Sequence, residues 1–147
     1  MSLNSYLRNR WIRRHATSPD EIAHLFALAD RDIEQSQVPG LGPEWRFDFA
    51  YNSALQSAIA ALAAAGFRAE RANKHLRVIE CLEFTVGLDS TTIRMLDRFR
   101  RKRHVAIYER VGAVSYGEAE EMVEMAKSIR RRVEAWIRAE HPTLLEP

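Results

Sequence analysis

Apolar residues recur along the chain at the spacing of one helix face. After the segment Ser18-Pro19-Asp20-Glu21 they fall three or four positions apart, at Ile22, Leu25, Phe26, Ala29 and Ile33. Ser at the N-cap, Pro at the first helical position and Glu three residues after the cap are typical of a helix start. The spacing therefore predicts an amphipathic helix, which the Pro- and Gly-rich residues 38–43 end.

The same periodicity predicts four more helices. The second runs from near Pro43 to residue 65, with Gly66 as its C-cap, and its alanine-rich half predicts a closely packed central helix. The third covers about residues 69–86. The fourth starts at a cap on Asp89 or Ser90 and runs to about residue 108, and the last starts at a capping-box pattern over residues 115–118 and ends before residue 142.

No segment alternates apolar and polar residues for long, so the pattern predicts no β-sheet. Short links between successive helices favour antiparallel neighbours. We therefore expect an all-α fold, an up-and-down bundle of four to five helices over residues 17–141. Residues 1–16 form a basic N-terminal segment with room for a short helix, and residues 142–147 form a C-terminal tail.

Length and composition narrow the class of protein. The 147 residues fit one domain, and the net charge of +2 by itself says nothing about nucleic acid. A lone cysteine, Cys81, excludes an intramolecular disulfide, fits a reducing compartment and suits a helix core. No apolar run approaches the roughly 20 residues of a membrane-spanning helix, so a cytoplasmic protein is predicted.

Arginine dominates the basic residues. Of the 22 Lys and Arg residues, only Lys74, Lys102 and Lys127 are Lys. Codon bias toward Arg explains this, and so does a need for the forked hydrogen bonds that a guanidinium makes to phosphate. Both explanations stay open at this stage.

The fourth predicted helix concentrates this charge, because six of the ten residues from Arg94 to Arg103 are basic. Arg103 falls on an otherwise apolar stripe of that helix. In one interpretation the helix presents Arg, His and Tyr side chains to a phosphate. In the other it is a solvated basic face, with Arg103 extending to solvent or paired with Glu80 or Glu83.

Two other sets of polar residues are candidates for a site. Asp48, Asn52 and Gln56 lie four apart on the second helix, where they could face a ligand, the fourth helix or solvent. The five histidines are scattered through the chain, so no metal site is predicted. We expect no cofactor either.

Three segments resemble helices of the HEPN superfamily (higher eukaryotes and prokaryotes nucleotide-binding), whose members are small helical bundles. They are residues 45–68, starting WRFDFAYN, residues 75–80, HLRVIE, and residues 100–109, RRKRHVAIYE. The resemblance covers about residues 20–140. The signature of the family's ribonucleases is an Arg, usually followed by a polar residue, and a His four to six residues after the Arg. A dimer brings the two copies of this signature into one cleft, where RNA is cleaved without metal.

The resemblance implies roles for individual residues. Arg103 matches the signature Arg and His104 the polar position, while Tyr108 stands where the signature His is expected. A tyrosine hydroxyl ordinarily has a pKa near 10, against about 6.5 for histidine, so it is a poor base at neutral pH. The resemblance thus implies Arg103, His104 and Tyr108 as catalytic residues. To these we add Arg98, Arg100, Arg101 and Lys102 of the basic run as phosphate-binding residues, and Asp48, Asn52, Gln56 and Glu80 as supporting polar residues.

Function follows as a hypothesis with alternatives. The resemblance implies a homodimer that binds RNA or a nucleotide in a basic cleft, with metal-independent ribonuclease or toxin-like activity beside a partner nucleotidyltransferase. The main alternative is a non-catalytic helical module for dimerisation or partner docking. A basic helical DNA binder is a weaker third, because no helix-turn-helix pattern is evident.

Overall fold

A computed structural model describes residues 1–146 as a mostly helical chain. Its elements, in chain order, are α1 Leu3–Arg8, β1 Ile12–Arg14, α2 Pro19–Ser36, α3 Pro43–Ala64, β2 Phe67–Ala69, α4 Lys74–Glu80, α5 Ser90–Tyr108 and α6 Tyr116–Glu140. A 3-10 turn over Cys81–Glu83 follows α4, and another over Pro142–Leu145 follows α6. The prediction of a mainly α-helical chain is confirmed.

Helix α3 lies at the centre of the fold. It makes its most extensive contacts with α2 and α6, and most of its residues from Ala50 onward are buried. Alanines such as Ala54, Ala58 and Ala61 are at most 1% exposed, and their small side chains let the neighbouring helices approach closely. Helix α5 packs onto α3 through Phe99, whose ring meets that of Phe47 edge to face at 5.2 Å.

The helix ends follow the local signals in the sequence. Ser18, Asp89 and Ser115 are N-caps whose side chains accept hydrogen bonds from backbone N–H groups in the first turn. At Ser115 the reciprocal bond from the cap N–H to Glu118 completes a capping box. Gly66 has φ +97°, a left-handed conformation that glycine adopts without steric cost just after a helix.

The prediction of no sheet is wrong. Strand β1 pairs with β2 in an antiparallel sheet of two strands, with Ile12 opposite Ala69 and Arg14 opposite Phe67. Each strand has three residues, which is too short for alternation to stand out. Ile12, Phe67 and Ala69 are buried and attach the sheet to the core.

The third predicted helix is much shorter than expected. Residues 67–69 are β2, and Asn73 has a left-handed backbone with φ 55° that separates the strand from α4. The helix proper spans Lys74–Glu80, after which the chain tightens into the 3-10 turn. Cys81 in that turn is buried, as predicted, and burial raises the pKa of its thiol to about 12.

Both ends of the described chain pack onto the core. Tyr6 of α1 is buried with its ring 5.0 Å from that of Trp11 and 5.2 Å from that of Phe84. Leu144 and Leu145 of the last turn lie against the hydrophobic core. Among residues 1–146 no helix is long and apolar enough to cross a membrane.

Candidate phosphate-binding cleft

Arg103 on α5 is held by side chains of α3. Its Nε donates a hydrogen bond to Asp48 Oδ1 at 2.6 Å, and its guanidinium carbon lies 5.1 Å from the centre of the Tyr51 ring. The two side chains of the ion pair are only 22% and 15% exposed. Within residues 1–146 the terminal amino groups of Arg103 make no hydrogen bond, so the outer edge of a fixed guanidinium faces the surface.

This pairing corrects the alternative drawn from the sequence. Arg103 pairs with Asp48 rather than with Glu80 or Glu83, and it does not extend freely to solvent. Glu80 instead accepts a hydrogen bond from Arg77 at 3.0 Å. The polar stripe that begins at Asp48 therefore meets α5 through its first member, one of the orientations considered for it.

A concave surface of about 460 Å³ opens beside Arg103, and we call it the basic cleft. It is lined by His75 of α4 and by Arg100, Arg101, Arg103, His104 and Val105 of α5. Asp97 holds Arg100 at 2.8 Å and reaches Arg101 at 3.6 Å. Three arginines therefore line a cleft to which no carboxylate contributes a lining side chain, and Asp97 pairs with two of them from outside it.

His75 was not singled out as a site residue from the sequence. It is half-buried, and its Nδ1 lies 3.5 Å from the hydroxyl of Tyr51. Burial, together with the positive charges of Arg103, Lys74 and Arg100, lowers the pKa of His75 below its ordinary value of 6.5. The imidazole is therefore neutral at pH 7, and Nε2 is the ring nitrogen left for a ligand.

Tyr51 of α3 contacts both Arg103 and His75 from the core side of the cleft. The residue is fully buried, and burial raises the pKa of its hydroxyl to about 12 despite the nearby Arg103 and Arg100. It stays protonated at neutral pH, so its ring face is available to Arg103 and its hydroxyl to His75.

The two remaining signature residues point to different surfaces. His104 lines the basic cleft with a side chain 64% exposed, and its Nε2 lies 3.7 Å from Glu109 Oε1. The ring of Tyr108 lies 5.0 Å from that of His104 between ring centres, tilted by 44°, but Tyr108 does not line the cleft. It lines a neighbouring groove instead.

That second concavity, the apolar groove, lies on the other side of Arg103. Its apolar lining residues are Trp45, Ala106, Ile107, Tyr108 and Val111, and its polar ones are Glu44, Asp48 and Arg103. Trp45, Tyr108 and Val111 are 62%, 70% and 94% exposed. Exposed apolar side chains in one group are typical of an interaction surface.

Other residues expected in the site lie elsewhere. Lys102 forms an ion pair with Glu118 of α6, and Arg98 places its guanidinium 5.4 Å from the Phe99 ring. Asn52 and Gln56 are half-buried and, within residues 1–146, make no side-chain hydrogen bond. None of these, nor Glu80, lines the basic cleft.

The part of the chain that the structure describes holds no cluster of His, Cys, Asp or Glu able to bind a metal ion. No protein-family model matches the chain, and no curated protein matches it. The assignment of function therefore rests on the side chains of the basic cleft.

Proposed function

We propose that this protein is a HEPN-like helical bundle whose basic cleft binds the phosphate groups of RNA or of a nucleotide. The observation that carries the proposal is the state of Arg103. Asp48 and Tyr51 fix its guanidinium, while its outer edge is free and lies beside Arg100 and Arg101. A guanidinium oriented in advance loses little conformational freedom when it takes two phosphate oxygens.

Metal-independent RNA cleavage is a second activity that the cleft supports, because two histidines line it. One imidazole would accept the proton of a ribose 2′-hydroxyl as its oxygen attacks the adjacent phosphorus. The other would give a proton to the departing 5′-oxygen, leaving a 2′,3′-cyclic phosphate and a 5′-hydroxyl. Arg103 would stabilise the negative charge that builds on the phosphate oxygens.

His75 suits the role of base better than Tyr108 does. Its lowered pKa keeps the imidazole neutral at pH 7, and the role requires the tautomer that donates Nδ1–H to Tyr51. Tyr108 lies outside the cleft. A histidine from α4 would thus replace the one that the family signature places on the same helix as its Arg.

A homodimer belongs to the proposal, with the apolar groove as its contact face. Arg103 lines both the groove and the cleft, so a second copy seated on the groove would wall the cleft and bring a second Arg103 near it. Sedimentation of Ile107→Glu is expected to give a monomer. Val38→Glu, at an exposed apolar residue that does not line the groove, should leave the dimer intact.

Partner docking without catalysis is the competing function, and the apolar groove favours it equally. A partner nucleotidyltransferase would then cover Trp45 and Tyr108, and the basic cleft would have no RNA ligand. RNA binding by the isolated protein separates the two.

The test compares Arg103→Gln with Arg131→Gln, a matched control at an exposed Arg of α6 that forms no ion pair within residues 1–146. Binding and cleavage of several RNAs, including transfer RNA, are measured in a buffer with a metal chelator. We expect the Arg103 variant to lose binding and any cleavage while the control keeps both. Wild-type protein that binds neither RNA nor nucleotide would refute the proposal in favour of docking.

A further inference from the structure

A second basic surface covers the two-stranded sheet, outside the basic cleft. It is a broad concavity of about 1050 Å³, and we call it the sheet surface. Its basic lining residues are Arg10, Arg13, Arg14, Arg68, Arg71 and Lys74. All six are exposed, and no part of the cleft described above includes them.

The charges of the sheet surface are almost uncompensated. Glu70 is the one acid that lines it, and its carboxylate lies 4.0 Å from Arg13 at the limit of an ion pair. The other five cations form no ion pair with any residue of the described range 1–146. By contrast, two of the arginines that line the basic cleft, Arg100 and Arg103, are each paired with an acid, Asp97 and Asp48.

The register of the sheet places like charges together. Arg13 on β1 is directly opposite Arg68 on β2, and both side chains are exposed on the same side of the sheet. Like charges at directly opposed positions destabilise a strand pair. Glu70 lies at the limit of an ion pair with Arg13 and, within residues 1–146, none forms with Arg68, so a bound polyanion would reduce the repulsion further.

The backbone beside this surface is held in an uncommon conformation at two places. Arg10 has φ 60° and Asn73 has φ 55°, and within residues 1–146 no other non-glycine residue has a positive φ. Arg10 lines the surface, and Asn73 stands between its lining residues Ala72 and Lys74. At Arg10 this conformation ends α1, where the N–H of Trp11 donates to the carbonyl oxygen of Tyr6 and the N–H of Arg10 to that of Leu7. The left-handed residues therefore set the course of the chain where it enters β1 and where it leaves β2.

The sheet surface and the basic cleft have lining residues that are neighbours at the start of α4. Lys74 lines the first and His75 lines the second. These are consecutive residues, so their Cα atoms are about 3.8 Å apart. A chain of phosphates that leaves the cleft at His75 therefore meets Lys74, a cation of the sheet surface.

We propose that the sheet surface binds the phosphodiester backbone of the same strand whose phosphate occupies the basic cleft. The ligand is then a single-stranded polynucleotide of several residues rather than a mononucleotide, an inference that rests on the proposed function of the cleft. The surface offers cations but no exposed large apolar side chain, which favours a nucleic-acid strand over a lipid bilayer, where exposed Trp, Phe or Leu would be expected.

The test uses Arg13→Gln/Arg68→Gln, with Arg131→Gln/Arg138→Gln as a charge-matched control on exposed residues of α6. Fluorescence anisotropy is recorded with a trinucleotide and with a single-stranded RNA of about 20 nucleotides. We expect the sheet variant to bind the long strand about tenfold more weakly than wild type and the trinucleotide equally well. The slope of log binding constant against log salt concentration should be smaller in magnitude by about 1.4. Two phosphate contacts are lost, and each contact with a single strand contributes about 0.7 to that slope.

Thermal unfolding guards against a folding defect. Removing the opposed Arg pair should leave the melting temperature unchanged or raise it, so weaker binding cannot come from lost structure. The control variant should bind both ligands as wild type does.

Three results would overturn the inference. If the sheet variant binds the long strand as tightly as wild type does, the proposed role of the sheet surface is refuted. The cleft proposal would still stand if Arg103→Gln abolished trinucleotide binding. Absence of binding to either ligand by wild-type protein would refute both. Loss of binding to anionic phospholipid vesicles in the sheet variant, with RNA binding intact, would make the surface a membrane contact.

Discussion

The ion pair between Asp48 and Arg103 allows a sharp test of the site. Substitution of Asp48 by Asn keeps the shape of the side chain but removes the charge that accepts the 2.6 Å hydrogen bond from Arg103. Exposed ion pairs contribute up to about 1 kcal/mol, and breaking a fully buried one costs about 3–5 kcal/mol. With side chains 22% and 15% exposed, this pair lies between those limits.

We therefore expect a coupling energy of about 1.5 kcal/mol between the two side chains. The assay is a double-mutant cycle with Asp48→Asn, Arg103→Gln and the combined variant, each unfolded in urea. Asp48→Asn alone should lower the melting temperature by about 5 °C. A coupling energy near zero would mean that the pair contributes nothing to holding Arg103.

The affinity of Asp48→Asn for RNA is a second test, because the two explanations of RNA binding predict changes in opposite directions. The substitution makes the protein more positive, so long-range attraction for RNA alone would strengthen binding. If Asp48 positions Arg103 for phosphate, binding weakens instead. Stronger binding by the variant would refute the reading of Asp48 as a positioning residue.

Three further predictions concern stability. Phe99→Ala removes a fully buried ring packed on Phe47 and should cost about 3–5 kcal/mol in urea unfolding. Gly66→Ala meets no neighbour within 4 Å but forces φ +97° on a side chain, so a loss of about 1–2 kcal/mol is expected from the backbone alone. The lowered pKa of His75 means that the unfolded chain takes up its proton first as pH falls through 6.5, so acidification destabilises the wild type. Melting temperatures of His75→Gln should fall less between about pH 7.5 and about pH 5.5 than those of wild type.

Local signals were enough for the helices whose ends they mark. Ser18 and Ser115 cap α2 and α6 as predicted, and Asp89, one of two candidates, caps α5, because a capping bond involves only residues three positions apart. The sheet escaped prediction because it joins residues 12–14 to residues 67–69 through three-residue strands. Pairing over such a separation depends on the packing of α1 and α3, which no local pattern contains.

The site was predictable only in part. The basic run on α5 led to Arg100, Arg101, Arg103 and His104, which the structure does bring to one cleft. The partner of Arg103 was misassigned because its choice among nearby acids depends on how α5 lies across α3. His75 is not predictable from the sequence for a related reason. It reaches the cleft from the first turn of α4, and the start of that helix at Lys74 depends on the strand and the left-handed Asn73 before it.

Binding of a phosphate beside Arg103 can be observed directly by NMR of the side chains. Nitrogen-15-labelled protein is titrated with an RNA trinucleotide in a buffer with a metal chelator, and the Nε–Hε resonances of arginine and the ring resonances of histidine are followed. The proposal predicts saturable shifts of Arg103 and His75, with Arg131 on α6 unmoved. Shifts that spare Arg103 at saturating RNA, or no shifts at all, would contradict a phosphate-binding cleft.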